Sequence, residues 1–235
     1  MHLDGWQIYK ESVKCIVPNT VTKILVLVVG GGTGNIGTWG GGGSGCVEAN
    51  SFVVNASDEY PIKVGLGDVR INNSSFGSLL VACGGGAGKE KNGGDGGSGG
   101  SAAPEGQLIL TGGTNGKDGD SSANNIGGRG QHDWERKLKY FTANKFSGGE
   151  GGKCGAWDGS KKVFGGGGGG GGILINGNGP AKKSGENTVT GESGSGFGAG
   201  GGAGVEAPDR NSMAKYPGAE GNDGLVYIEW DLSVA

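Results

Sequence analysis

Short runs of β-branched and aliphatic residues, separated by polar or glycine-filled gaps, set the pattern of this chain. Residues 21–29 (VTKILVLVV) are apolar almost without a break, as in a parallel-type strand buried on both faces. Residues 46–54 and 60–64 flank Asn55-Ala56-Ser57-Asp58, a turn-forming tetrad, and the three together predict a hairpin. Further short strands are expected at 75–82 (SFGSLLVA) and 107–111 (QLILT). Residues 225–231 (LVYIEWD) form a closing strand. Alternation puts Leu225, Tyr227 and Glu229 on one face and Val226, Ile228 and Trp230 on the other. Only residues 132–141 (HDWERKLKYF) have helical character, and that stretch is too short to be stable alone. The expected class is all-β.

The segments between the strands change the picture. Sixty of the 235 residues are glycine, about one in four against roughly 7% in ordinary chains. They are clustered: ten in residues 30–45, eleven in 84–106, fourteen in 148–172 and seven in 194–204, with one in 1–29 and none in 225–235. Such clusters exclude a helical bundle, because each interior glycine costs roughly 1 kcal/mol relative to alanine. Their uneven spacing and only six prolines exclude collagen. Long structureless connections are improbable inside a compact domain. Glycine segments in the polyproline-II conformation offer a packed alternative, since only glycine lets backbones approach closely enough to bond side by side. The run 165–172 would then be a rod of about 25 Å. The expected organisation is an N-terminal attachment or assembly segment, 1–14, followed by a β domain, 15–235. Its core is expected at about 15–82, 107–111 and 224–231, with polyglycine-II insertions at about 30–45, 84–106 and 112–222.

Charge and motifs mainly exclude. A net charge of −3 and a pI near 5.5 leave no electrostatic footprint for nucleic acid. The apolar run 24–29 is far short of a membrane span, and no early apolar core indicates a secretory leader. The four cysteines (Cys15, Cys46, Cys83, Cys154) have no CxxC spacing and are expected as free thiols. Gly32, Gly34 and Gly37 match G-x-G-x-x-G after a strand. The next residues, Thr38-Trp39-Gly40-Gly41, cannot open the helix that a dinucleotide site requires. Gly88-Lys89, Gly116-Lys117 and Gly152-Lys153 lack the rest of a phosphate loop. Two distant histidines and scattered cysteines give no zinc set, and Asp118-Gly119-Asp120 reads as a solvated turn. Gly194-Ser195-Gly196 lacks the strand-to-helix turn of a nucleophile elbow. No enzyme, no cofactor and no metal are expected.

The candidate chemistry lies in the residues that interrupt the glycine. Trp39, Trp134, Tyr140, Phe141, Trp157, Phe164, Phe197 and Tyr216 fall within or beside these clusters, with Lys161 and Lys162 in the same loops. Aromatic side chains on rigid supports present large contact area at little entropic cost and stack on sugars. Of these, Trp39, Trp134, Tyr140, Phe141, Trp157, Lys161, Lys162, Phe164 and Tyr216 are the candidate receptor-binding residues.

The order KILVLVVGGGTG, GGGGSG with a strand after it, SSFGSLLVACGGGAG and GNDGLVYIEW resembles the glycine-rich domain of bacteriophage tail fibre and tail-tip adhesins, the T-even-like receptor-recognition proteins. It is also similar to the glycine-rich domain of the anaplastic lymphoma kinase receptor family. The resemblance covers most of residues 13–231. It implies a jelly-roll-like β-sandwich whose loops expand into a bundle of polyglycine-II helices. It implies a non-enzymatic virion surface protein, made in the host cytoplasm, that meets a host surface receptor (a glycan or an outer-membrane protein) and other virion or fibre proteins. A homo-oligomer is compatible with it, but no heptad demands one. A purely structural virion or matrix spacer, and an extracellular protein-binding domain like that of the receptor kinase, are the alternatives.

Overall fold

The computed structural model describes residues 5–33, 41–67, 73–87, 138–153, 155, 169–185, 190–208 and 213–230. Eight strands build two antiparallel sheets: β1 (Trp6–Tyr9), β2 (Val13–Ile16), β3 (Lys23–Val29), β4 (Val47–Val53), β5 (Glu59–Lys63), β6 (Ser74–Phe76), β7 (Leu80–Ala82) and β12 (Leu225–Trp230). The first sheet has the order β1-β12-β3-β4 and the second β2-β5-β6-β7. Two hairpins complete the described elements, β8 (Phe146–Gly148) with β9 (Ile173–Ile175) and β10 (Val205–Pro208) with β11 (Met213–Tyr216). No described residue is helical. Residues 138–140 form a turn, closed by Phe141 N–H on the Leu138 carbonyl at 3.0 Å, so the end of the expected helix 132–141 is not one. The rest of that stretch, like 107–111, lies outside the described residues.

The first sheet is buried on both faces, and the alternation of β3 and β12 divides its side chains between two cores. Ile24, Val26, Val28, Val226, Ile228 and Trp230 meet Cys15, Val17, Ile62, Phe76 and Leu80 of the second sheet. Leu27, Val29, Leu225 and Tyr227 face the other way, onto Leu138, Phe141, Phe146, Ile173, Ile175 and Phe197. The assignment of the two faces of residues 225–230 therefore holds. The parallel-type reading of 21–29 does not, because β3 runs antiparallel to both β12 and β4. Its continuous hydrophobicity comes from the third layer, which the glycine-rich insertions supply.

Two further expectations are corrected. The tetrad 55–58 does form a turn: Asp58 N–H bonds the Asn55 carbonyl at 3.2 Å, and Asn55 N–H bonds the Asp58 carboxylate at 3.0 Å. It is not a hairpin, because β4 pairs with β3 while β5 pairs with β2 and β6. Val17 N–H holds the Asp58 carbonyl at 2.9 Å, drawing the chain across to the second sheet. Residues 75–82 are two strands, because Gly77 turns at φ 53°, a left-handed value that a strand residue does not adopt. Within the stretch 1–14, β1 pairs along its length with β12, and β2, which starts at Val13, pairs with β5. Trp6 stacks on Tyr227 at 6.0 Å, so burial of the outer face of the first sheet requires these residues.

The glycine segments are tied to one another by backbone hydrogen bonds outside any strand. Gly42 N–H bonds Gly201 O at 2.8 Å, Gly170 N–H bonds Gly42 O at 3.0 Å, Gly200 N–H bonds Gly170 O at 2.8 Å and Gly43 N–H bonds Gly86 O at 2.9 Å. The Thr33 hydroxyl adds a bond to the Gly85 carbonyl. A Cβ on Gly42 would collide with the Thr33 carbonyl, and one on Gly200 with that of Gly42. Such glycines recur three apart at 42 and 45, 149 and 152, 169 and 172, and 218, 221 and 224, and two apart from 194 to 202. These amides, taken from water, thus have partners, as burial requires.

Candidate functional site

A cleft of about 680 Å³ opens where β1, the β8–β9 hairpin and the returning glycine segment meet, lined by Trp6, Ile8, Lys10, Asn144, Asn176, Asn178, Phe197, Asn222 and Asp223 among others. Strand alternation delivers Trp6 and Ile8 to it, both half-buried against the second core. Asn176 sits at φ 52° beside Gly177 at φ 74°. This turn projects exposed Asn178 at the rim and suits asparagine, which tolerates left-handed φ. Phe197 lies between Gly196 (φ 95°) and Gly198 (φ 69°), which bend the chain so that its ring seals the cleft. The Lys10 ammonium stands over that ring, 5.5 Å from its centre.

Behind the rim runs a directed set of hydrogen bonds. Glu229 is buried, and its carboxylate accepts from Thr142 N–H and the Thr142 hydroxyl, both at 2.8 Å. A carboxylate donates nothing, so the Tyr227 hydroxyl donates to it at 3.0 Å and accepts from Asn144 Nδ2 at 3.0 Å. Asn144 Oδ1 then accepts from Asn176 Nδ2 at 2.5 Å, and Asn176 Oδ1 from Lys145 N–H at 2.9 Å. The buried charge thereby fixes which way each amide points. Burial raises the Tyr227 phenol above the usual tyrosine range; the Asn144 bond opposes this and the Glu229 charge reinforces it.

Asn222 closes the cleft wall and is 1% exposed. Both Nδ2 hydrogens are committed, to Gly194 O at 3.1 Å and Gly196 O at 3.2 Å. Its Oδ1 therefore points away from those carbonyls and meets no donor. Next to it, Asp223 receives Gly67 N–H on one carboxylate oxygen at 2.7 Å. Lys183 is occupied by Gly221 O at 3.0 Å and Glu220 at 3.6 Å. Among the described residues no three histidine, cysteine or acidic side chains gather as a metal set.

A family model described as a glycine-rich domain matches residues 10–231. The chain belongs to that family. A search of curated proteins gives no match. In this glycine-rich domain the match begins after β1, although β1 completes the first sheet and supplies Trp6 to the cleft.

The structure separates the aromatic residues singled out from sequence. Tyr140 is 50% exposed with Lys139 over its ring at 5.4 Å, and Tyr216 is half-buried at the end of β11. Phe141 is 5% exposed and packs edge-on to Tyr227 and Phe146, so it belongs to the core and not to a contact surface. Trp39, Trp134, Trp157, Lys161, Lys162 and Phe164 lie outside the described residues. The cleft gathers residues that sequence alone does not single out: Trp6, Asn144, Asn176, Asn178, Asn222 and Asp223. Their signal is faint, because Asn176-Gly177-Asn178-Gly179 and Asn222-Asp223-Gly224 read only as turns until Trp6 is brought beside them.

Proposed function

We propose that this glycine-rich domain is a non-enzymatic adhesive module of a virion surface, a tail fibre or tail-tip protein that contacts a host receptor. In this reading the glycine mesh is a bundle of polyglycine-II segments carried on a jelly-roll-like sandwich, and the non-glycine loops make the contact. One observation carries it: glycines that each sit against a neighbouring backbone, several of them three residues apart, in distant segments that are cross-bonded. Three residues per turn is the repeat of that helix. A scaffold built mainly of glycine, with only small or amide side chains buried in it, leaves recognition to the residues that interrupt it. The chain also crosses repeatedly between the two sheets, from β1 to β2, to β3 and β4, to β5, and finally to β12, in keeping with a jelly-roll path.

Antibodies raised against the chain test this by immunogold microscopy on purified particles and by blocking of adsorption to the host. Label at the tail tip with blocked adsorption is the expected result. Particles that never carry label overturn it. Label with normal adsorption, together with assembly defects in a Trp134, Trp157, Lys161 and Lys162 variant, would instead identify a spacer.

A further inference from the structure

We propose that the cleft between β1 and the β8–β9 hairpin binds a neutral pyranose sugar; this rests on the reading of the chain as a recognition module. Its volume of about 680 Å³ falls within the range of small-ligand sites. The lining chemistry selects the ligand by elimination. Two aromatic rings, Trp6 and Phe197, border the space. One face of Trp6 is covered by Tyr227, so an apolar ligand face finds the other. The remaining polar groups are dominated by acceptors. Asn222 Oδ1 is buried without a donor, and its orientation is locked by two bonds from the same amide. A buried acceptor in that state gains most from a ligand that brings a hydrogen-bond donor. Asp223 offers a carboxylate at the exposed rim, engaged so far by one backbone amide.

An anionic ligand would face Asp223, while both neighbouring lysines are already engaged, Lys183 by Glu220 and Lys10 by the Phe197 ring. A cationic ligand would meet the Lys10 ammonium, whose charge the Phe197 ring does not neutralise. A purely apolar ligand would leave Asn222 unsatisfied and strip water from Asp223. The ligand that fits is uncharged, rich in hydroxyl donors and apolar on one face. A pyranose ring has that composition, with C–H groups on its face and hydroxyls at its edge. The fixed amides of Asn144 and Asn176 pre-orient the opposite rim, which keeps the ordering cost of binding low.

The test is a glycan array probed with the full purified chain, followed by calorimetric titration of the best pyranose-bearing glycan and its free monosaccharide. Trp6→Ala and Asn178→Ala should each weaken binding at least about tenfold, the scale of truncating an anchoring contact. Asn178 is exposed at the rim, so its variant should melt at the wild-type temperature and separate lost contact from lost fold. Monosaccharide affinity equal to that of the glycan would assign a terminal or free sugar, and affinity for the polymer alone an internal unit, both within the proposal. A folded chain that labels virions yet binds no glycan overturns it, as does binding indifferent to Asn178→Ala and Trp6→Ala. Glycan binding at the cleft by a chain absent from particles would retain the sugar site and remove the virion reading.

Discussion

Tyr227 joins the second core to the polar network. Its ring is fully buried and contacts Trp6, Phe141 and Phe146, while its hydroxyl bridges Glu229 and Asn144. Tyr227→Phe keeps the ring contacts but removes a donor from a buried carboxylate and an acceptor from a buried amide. We expect a loss of about 1–3 kcal/mol, read as a lower urea midpoint. The same phenol shapes the alkaline limit. Burial raises the pKa of both Tyr227 and Tyr9, and it also pushes up the Cys15 thiol. The folded state therefore holds these protons more tightly than the unfolded chain. Their stabilisation is complete below about pH 8.5 for the thiol and about pH 10 for the phenols, and it is lost as pH rises further. Urea midpoints measured from pH 8 to 11.5 should fall on that limb, and Tyr9→Phe or Tyr227→Phe should make it shallower. A limb of unchanged slope in both variants would refute this origin.

At the scale of elements, the glycine segments act as a layer in which many positions take no side chain. A methyl group on Gly42 or Gly200 would strike a backbone carbonyl that cannot move without breaking its own bond. Gly42→Ala and Gly200→Ala should each cost about 3 kcal/mol or more, the upper end of overpacking. Gly177 is the contrast: it turns at φ 74° with nothing near an added Cβ. Gly177→Asn should melt within about 2 °C of wild type, since asparagine accepts that conformation. Equal melting of all three variants would mean that the segments do not pack. The same distinction explains which features are legible in the sequence. The strands β3 and β12 are legible because apolar runs and alternation are local, and so is the turn at 55–58. Which strands that turn joins is not, because β4 and β5 find their partners across the molecule. Nor is the cleft, whose Trp6 and Asn222 come from opposite ends of the chain and read separately as a strand residue and a turn residue. Phe141, expected as a contact residue and found buried, fails for a related reason. Proximity to glycine marks either a displayed ring or a ring capping the layer, and only the packing on Tyr227 decides.

Across the whole molecule, the two cores are not independent. β3 and β12 contribute alternate residues to each, so Val26 and Ile228 cannot be released toward the second sheet while Leu27 and Tyr227 stay packed on the glycine-borne layer. The backbone mesh extends this coupling: Gly45 N–H, just before β4, bonds Gly198 O at 2.8 Å, and Gly30 N–H, just after β3, bonds Cys46 O at 2.9 Å. Denaturation should accordingly be a single transition, with tryptophan fluorescence, far-ultraviolet dichroism and trapping of the buried Cys15 thiol sharing one midpoint. Phe76→Ala in one core and Phe146→Ala in the other should each lower that shared midpoint, by about 3–5 kcal/mol for a fully buried ring. Two separated transitions, with Phe146→Ala moving only the first, would mean that the glycine-borne layer melts off an independently stable pair of sheets. A single transition is also what a rigid displayed surface needs. If the insertions could detach alone, the cleft between β1 and the β8–β9 hairpin would lose one wall while the sheets remained folded.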